Sequence, residues 1–513
     1  MKFSAIGKIL GLLLLLLTGG MVFPLAIASY DFFSGSDPYN IIPLQGILTG
    51  MGAGLLVSMA LLYLNRDAET NIGSSEAILL VFLSWSVGAV IASLPFFFWA
   101  QYFYRATSIA SPFINFFNCL FEGVSGLTTT GASILSDIPA VPDALLFWRA
   151  FIQWYGGLGI VVLFVAILPM IAGGNKRLFS AEATGISKDG NTPKIQETAQ
   201  TLWLIYVCFT VVQIVLMLIV EPEMGLFAAS TLSFSTAATA GFSIFNESAG
   251  GLSPAVQWII ISFMLISGVN FGLYYQVLQG RWRSLFNDTE FKTYVGIVFF
   301  AILIIAWNIE DIGYNDMSAQ LAIKDPETIA RDAAFQVASI QTTTGFSNAN
   351  FDSWPALSHF VLLALMFIGG CGGSTGGGIK VSRIVVAFKL FFSQLEKVYR
   401  PAVIRPVKIG GSVLTDAMKQ AIILHILAVI FLSFLGGVLL IIFEPEIDHY
   451  TAFTASVATI NNIGPGFSMV GATENYSWMS DQSKSLLILW MLIGRLEVFT
   501  VLVLFTRRFW KQN

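Results

Sequence analysis

The chain has 513 residues, of which 55% are hydrophobic and only 11% charged, with a formal net charge of −4. That balance excludes a soluble globular domain, in which charged residues make up about 25%. Its three cysteines, Cys119, Cys208 and Cys371, are scattered through apolar surroundings without metal or disulfide spacing, and read as small core residues.

From the N-terminus, apolar runs long enough for a hydrocarbon core of roughly 30 Å recur along the chain. Ten are read, at 8–30, 42–64, 77–101, 145–171, 201–220, 253–278, 291–308, 356–388, 418–443 and 485–507. Lys2, Lys8 and the later Ala26-Ile27-Ala28 also fit a secretory signal, but the run is longer than a signal core and a retained helix is expected. The first two spans form a hairpin over 1–70, and four units follow at 71–198, 199–284, 285–412 and 413–513. In each unit a span leads into a short apolar stretch, at 113–127, 227–238, 331–341 or 449–460. These stretches cannot cross a bilayer and read as half-helices that dip in and return. The expected fold class is an all-α polytopic membrane protein with four parallel repeats of span, pore loop and span around one pore.

Each half-helix runs into a glycine-containing tetrapeptide. The four are Thr128-Thr129-Thr130-Gly131, Ala238-Thr239-Ala240-Gly241, Thr342-Thr343-Thr344-Gly345 and Asn461-Asn462-Ile463-Gly464. Non-helical backbone at membrane depth must line water or be buried in protein. Carbonyls converge on an axis only where some residues reach φ > 0, which glycine does freely. Half-helices pointing their C-termini inward add partial negative charge there. Four such loops can replace the hydration shell of a potassium ion with peptide oxygens, without any carboxylate. One Thr-Thr-Thr-Gly would be an ordinary polar turn; four in register between spans are not.

With the N-terminus inside and the spans alternating, 21 of the 27 Lys and Arg residues fall on the inner side, which sets both termini in the cytoplasm. Outer segments are acidic instead, as in Glu221-Pro222-Glu223, Glu310-Asp311 and Glu444-Pro445-Glu446, and would raise local cation concentration modestly. The inner stretches Lys380–Lys419 and 172–200 are candidate docking surfaces, although most of those charges need only set topology.

Seven of the ten residues in 369–378 are glycine. At about 1 kcal/mol per interior glycine, no continuous helix survives there. The span 356–388 is therefore interrupted at membrane depth, and Gly370, Gly372, Gly373, Gly376, Gly377, Gly378 and Lys380 are expected to form a movable gate. A packing seam would need only two or three glycines. Gly372-Gly373-Ser374-Thr375-Gly376 matches G-x-S-x-G, but no strand-turn-helix context or motif links Ser374 to His359, His425 or His449. The same run misses a phosphate-binding G-x-x-x-x-G-K by one residue, Ile379. No enzymatic activity and no cofactor are expected.

Phe121-Glu122-Gly123-Val124-Ser125-Gly126-Leu127-Thr128-Thr129-Thr130-Gly131 and Gln153-Trp154-Tyr155-Gly156-Gly157-Leu158-Gly159-Ile160 resemble the first repeat of the Trk/Ktr/HKT potassium transporters. Residues 369–380 are similar to the glycine-rich stretch of that family's third repeat. Asn462-Ile463-Gly464-Pro465-Gly466-Phe467 and Gly494-Arg495-Leu496-Glu497-Val498 resemble its fourth. The likeness runs from about residue 8 to 508, and the N-terminal hairpin points to the bacterial TrkH branch.

The resemblance implies selective K⁺ uptake across the cell inner membrane, one pore per subunit, a homodimer, and cytosolic TrkA-like nucleotide-binding regulatory subunits. It implies no nucleic-acid partner. Its ion-facing positions carry over to Thr129, Thr130, Gly131, Thr239, Ala240, Gly241, Thr343, Thr344, Gly345, Asn462, Ile463 and Gly464. Glycine at all four corners favours potassium, since a serine at the first goes with sodium permeation in plant relatives. Arg495, a charge inside a span, costs at least ~2.5 kcal/mol on insertion scales. It is expected beneath the filter beside the glycine loop, with a structural pair to Glu497 or Glu122 as the alternative. Glu122 itself is expected to hold the scaffold. At Val398-Tyr399-Arg400-Pro401-Ala402-Val403 the chain departs from the pattern, lacking the histidine that usually precedes the proline. The competing function is an ion-coupled carrier moving K⁺ with Na⁺ or H⁺.

Overall fold

The computed structural model describes residues 1–35, 38–69, 72–166, 192–310, 314, 317, 325–401, 406–409 and 412–511. The inner segment 172–200 thus falls largely outside the described residues, as do 167–171 of the fourth expected span, Asp311, and 402–405 beside Pro401.

Helices α1 (Phe3–Gly19) and α2 (Val22–Ser34) make the first crossing, and α3 (Ile41–Leu64) returns beside them. Gly46, Gly50 and Gly54, four residues apart on α3, face the backbone of Trp99, the ring of Pro95 and the side chains of Thr18 and Ile91. This small-residue stripe lets α3 approach α4 (Ser74–Thr107) closely, the usual way helices associate in lipid.

The first unit is α4, the half-helix α5 (Phe116–Leu127) and α6 (Asp143–Ala166). The second is α7 (Thr192–Val220), half-helix α8 (Gly225–Ala237), then α9 (Pro254–Ser267) and α10 (Phe271–Leu278). After the short α11 (Arg283–Asn287) comes the third: α12 (Thr289–Ile309), half-helix α13 (Pro326–Gln341), α14 (Ala356–Ile368) and α15 (Val381–Tyr399). Two-residue strands, Lys408–Ile409 paired antiparallel with Ser412–Val413, lead to the fourth. That unit is α16 (Asp416–Phe443), half-helix α17 (His449–Ile460), α18 (Asp481–Arg495) and α19 (Val498–Leu502), with α20 (Arg507–Trp510) at the end.

Apart from that minimal strand pair, the fold is the all-α array of four repeats expected. Three spans, however, are not continuous. The sixth bends by 89° between α9 and α10, and the tenth by 116° between α18 and the helix that begins at Val498. The eighth breaks between α14 and α15. At the first break Asn270 caps α10, its side chain accepting from the Gly272 N–H at 2.8 Å; at the second Glu497 adopts φ 67°.

The half-helices form the centre of the molecule. Every residue from Phe121 to Leu127 and from Arg331 to Gln341 is buried. The flanking spans turn Phe299, Phe300, Phe431 and Phe434 outward, as lipid-facing surfaces should. Capping side chains start three half-helices: Asn115, Asp325 and Asp448 each accept from first-turn N–H groups. Burial opposes ionisation of Asp448, but hydrogen bonds from the Thr451 hydroxyl and the Thr451 and Tyr450 N–H groups outweigh it and hold the carboxyl below its ordinary range.

The other end of the half-helices is fixed by contact. Gly156 on α6 lies against the carbonyl of Leu127, the last residue of α5, and Gly494 on α18 lies against that of Ile460, the last of α17. A methyl group at either glycine would collide with backbone oxygen. Gly156→Ala and Gly494→Ala should each destabilise by about 1–3 kcal/mol, the usual cost of overpacking. Thermal melting of the purified protein checks this, and unchanged melting would refute close packing at these points.

Candidate ion pathway

The four half-helices end in the same backbone figure. The N–H groups of Thr130, Ala240, Thr344 and Ile463 bond back to the carbonyls of Ser125, Ser235, Ser339 and Ala458 at 2.8, 2.9, 2.8 and 2.8 Å. These are the 6→1 bonds of a Schellman cap, which require a left-handed residue at the turn. That residue is Thr129, Thr239, Thr343 and Asn462, with φ of 55°, 49°, 59° and 55°. A β-branched residue at positive φ is a genuine outlier and signals a conformation held by its surroundings. Two residues on, Gly131, Gly241, Gly345 and Gly464 also have positive φ, at 80°, 79°, 84° and 102°.

These corners meet in a closed ring. Gly131 abuts the Ala240 carbonyl oxygen, Gly241 that of Thr344, Gly345 that of Ile463, and Gly464 that of Thr130. Each junction is too close for a Cβ. The twelve expected ion-facing residues are therefore brought together around one central line, with their backbone oxygens crowded.

Behind the ring lies a scaffold of buried side chains. Arg149 on α6 pairs with Glu122 on α5 at 2.7 Å, both fully buried. Glu122 also accepts from the Ser133 hydroxyl at 3.0 Å and the Ile134 N–H at 3.0 Å, just past the first corner. Arg149 reaches on to the Ser243 carbonyl at 3.1 Å, joining the first corner to the second. Gln153 donates to the Ala240 carbonyl at 2.6 Å.

The glycine loop crosses beneath. Its backbone is clasped to the break in the sixth span, Cys371 N–H to Gly268 O at 2.9 Å and Phe271 N–H to Gly373 O at 3.1 Å. The Gly377 N–H donates to the Thr343 hydroxyl at 2.7 Å, and the Thr239 hydroxyl to that of Thr375 at 3.1 Å. Gly376 lies against the Thr342 carbonyl and Gly377 against that of Asn461. The loop therefore touches three of the four corners from below. Gly373 and Gly378 have positive φ, 76° and 69°, and Gly370 packs on the Gly268 carbonyl.

Two cations fasten the loop. Arg495 donates to the Thr375 carbonyl at 2.9 Å and to Gly156 O on α6 at 3.2 Å, and Lys380 to the Gly376 carbonyl at 2.5 Å. The alternative partners of Arg495 are engaged elsewhere: Glu122 with Arg149, and Glu497 with Arg383 at 2.7 Å. One carboxylate completes the fastening. Glu290 on α12 accepts from the N–H groups of Gly372 at 2.7 Å and Ser382 at 2.9 Å, one inside the loop and one just past it.

A family model described as a cation transport protein, TrkH, matches residues 44–512. The chain is 37% identical over 518 residues to the Trk system potassium uptake protein TrkH of Escherichia coli, covering all of both chains. It is 30% identical over 458 residues to TrkG of the same species, covering 88% of each. The crystal structure of the potassium transporter TrkH from Vibrio parahaemolyticus superposes with a TM-score of 0.85, at 33% identity and full coverage of both chains. The chain belongs to the TrkH family. This is a family of transport proteins, not of enzymes, and Ser374, buried and donating to the Cys371 carbonyl, forms part of the loop's own turn.

Three members of this TrkH-family site had no sequence signal of their own. Glu290 stands at the start of an ordinary span, Gln153 inside one, and Arg149 counts only as one more basic residue. Their roles come from contacts across repeats. The acidic outer segments also resolve differently: Glu444 accepts from the Ser480 N–H and the Ser483 hydroxyl, at 2.6 and 2.7 Å, and so ties α18 in place. Arg149→Met should leave the Glu122 carboxylate buried without its partner, at a cost of about 3–5 kcal/mol. Melting of the detergent-solubilised protein should fall sharply and recover in part when Glu122→Gln is added; no loss would show that the pair is dispensable.

Proposed function

We propose that this TrkH-family chain takes up potassium across a bacterial inner membrane, through a filter formed by the four corners and gated by the glycine loop. The closed ring of glycine–carbonyl junctions supports this reading most strongly. Peptide oxygens from Thr129, Thr130, Gly131 and their counterparts Thr239, Ala240, Gly241, Thr343, Thr344, Gly345, Asn462, Ile463 and Gly464 supply the coordination that water gives up. Glycine at all four corners and relatives named as potassium uptake proteins agree with it.

The loop holding Gly370, Gly372, Gly373, Gly376, Gly377 and Gly378 blocks the path below the filter. Arg495 and Lys380 hold it closed through its carbonyls, and Glu290 through its N–H groups. Arg495 also places positive charge on the cation's route. Opening displaces the loop toward the cytoplasm, and cytosolic TrkA-like nucleotide-binding subunits acting on a homodimer would drive it. The excess of basic residues on the inner segments supports cytoplasmic termini. An inside-negative potential supplies about 2.3 kcal/mol per charge per 100 mV, so no coupled ion is needed.

Potassium-limited growth of uptake-deficient bacteria tests the reading: the wild-type gene should restore growth, and failure despite membrane expression would contradict it. In liposomes Arg495→Gln should raise K⁺ flux by tenfold or more, because two charge-assisted hydrogen bonds at about 1.5–3 kcal/mol each are lost from the closed state. An unchanged flux would assign Arg495 a structural role alone.

A further inference from the structure

The four corners are not equivalent. Gly464 has φ 102°, against 80°, 79° and 84° at Gly131, Gly241 and Gly345. A Cβ at Gly464 would stand 2.7 Å from the Thr130 oxygen, a wider gap than at the other three junctions. Here the last unit meets the first, so no sequential stretch of chain closes the step. The turn also differs in sequence, with Pro465-Gly466 following Gly464.

Two side chains bridge this seam. Asn462 donates to the Thr130 hydroxyl at 2.9 Å. Tyr476, from the segment leading into α18, donates its hydroxyl to the Gly464 carbonyl at 2.8 Å, while its own N–H donates to the Ser133 carbonyl at 2.9 Å. Its ring is 2% exposed and lies 5.5 Å from that of Phe121. Among the described residues no side chain is seen donating to the carbonyls of Gly131, Gly241 or Gly345.

We propose that Tyr476 is a positioning residue for ion selectivity, its hydroxyl tethering the outermost carbonyl of the fourth corner. The proposal rests on the reading of the corners as a potassium filter. A carbonyl oxygen has two lone pairs and can take both a phenol and a cation. Discrimination depends on the number, field strength and freedom of the coordinating oxygens. A smaller ion gains most when oxygens can close in around it, and a tethered carbonyl cannot follow. The tether therefore works against sodium, at the corner where the backbone is least constrained by its neighbours.

The test compares full-length wild-type protein and Tyr476→Phe in liposomes, with K⁺, Rb⁺ and Na⁺ fluxes measured side by side and melting measured in detergent. Phenylalanine keeps the ring packing and removes only the hydroxyl. The Na⁺-to-K⁺ flux ratio should rise about three- to tenfold, the range one hydrogen bond carries. An unchanged ratio overturns the proposal, even if melting falls, because a purely structural tie would change stability alone. Site-specific 3,5-difluorotyrosine, a stronger donor of the same shape, should lower the ratio below wild type, and decides the matter should Tyr476→Phe not fold. Wild-type protein without preference for K⁺ over Na⁺ would instead refute the filter reading itself.

Discussion

The structure depends on one backbone constraint: four turns, each needing two residues at positive φ, must be held with their carbonyl oxygens crowded together. Peptide dipoles pointing at one line repel, and a threonine at positive φ resists its conformation. Nothing within a single repeat compensates for this. The compensation is collective, from the Schellman bonds that end each half-helix, the glycine contacts of α6 and α18 with the ends of α5 and α17, and the closure of the ring itself. Once those oxygens are fixed, a cation arriving among them meets a site already arranged, and the dehydration of the ion is offset without reorganising the protein.

The elements below the ring follow the same economy. The glycine loop is held by groups that need no complementary side chain: its carbonyls take Arg495 and Lys380, and its N–H groups take Glu290. A segment so rich in glycine gains little from packing, so a few hydrogen bonds decide its position, and moving it disturbs no core. Its clasp on Gly268 and Phe271 ties the third repeat to the second, and Arg495 ties the fourth to the first. In the proposed mechanism the gate is thus a joint between repeats and not a hinge within one.

Much of this was legible in the sequence, because membranes simplify the physics. Spans, half-helices and corners follow from the length of apolar runs and from the need to satisfy backbone groups in lipid. The positions of Thr129 to Gly131 and of the glycine loop came from register and composition alone. What stayed hidden depends on contacts between distant segments. Arg149 and Glu122 are 27 residues apart and Glu290 and Gly372 are 82 apart, with nothing local to announce either. The breaks at Gly268–Asn270 and Leu496–Glu497 were missed for a related reason: both sit inside apolar runs whose hydropathy cannot tell a straight helix from a bent one.

The account stands on the claim that peptide oxygens from all four corners coordinate a permeating ion. Anomalous X-ray scattering from crystals of the protein grown in rubidium, a potassium substitute, tests this most directly. Density centred between the carbonyls of Thr130, Ala240, Thr344 and Ile463, and absent from crystals grown in sodium alone, is the predicted result. Rubidium bound only away from that line, or none in the ring at saturating concentration, would contradict the account.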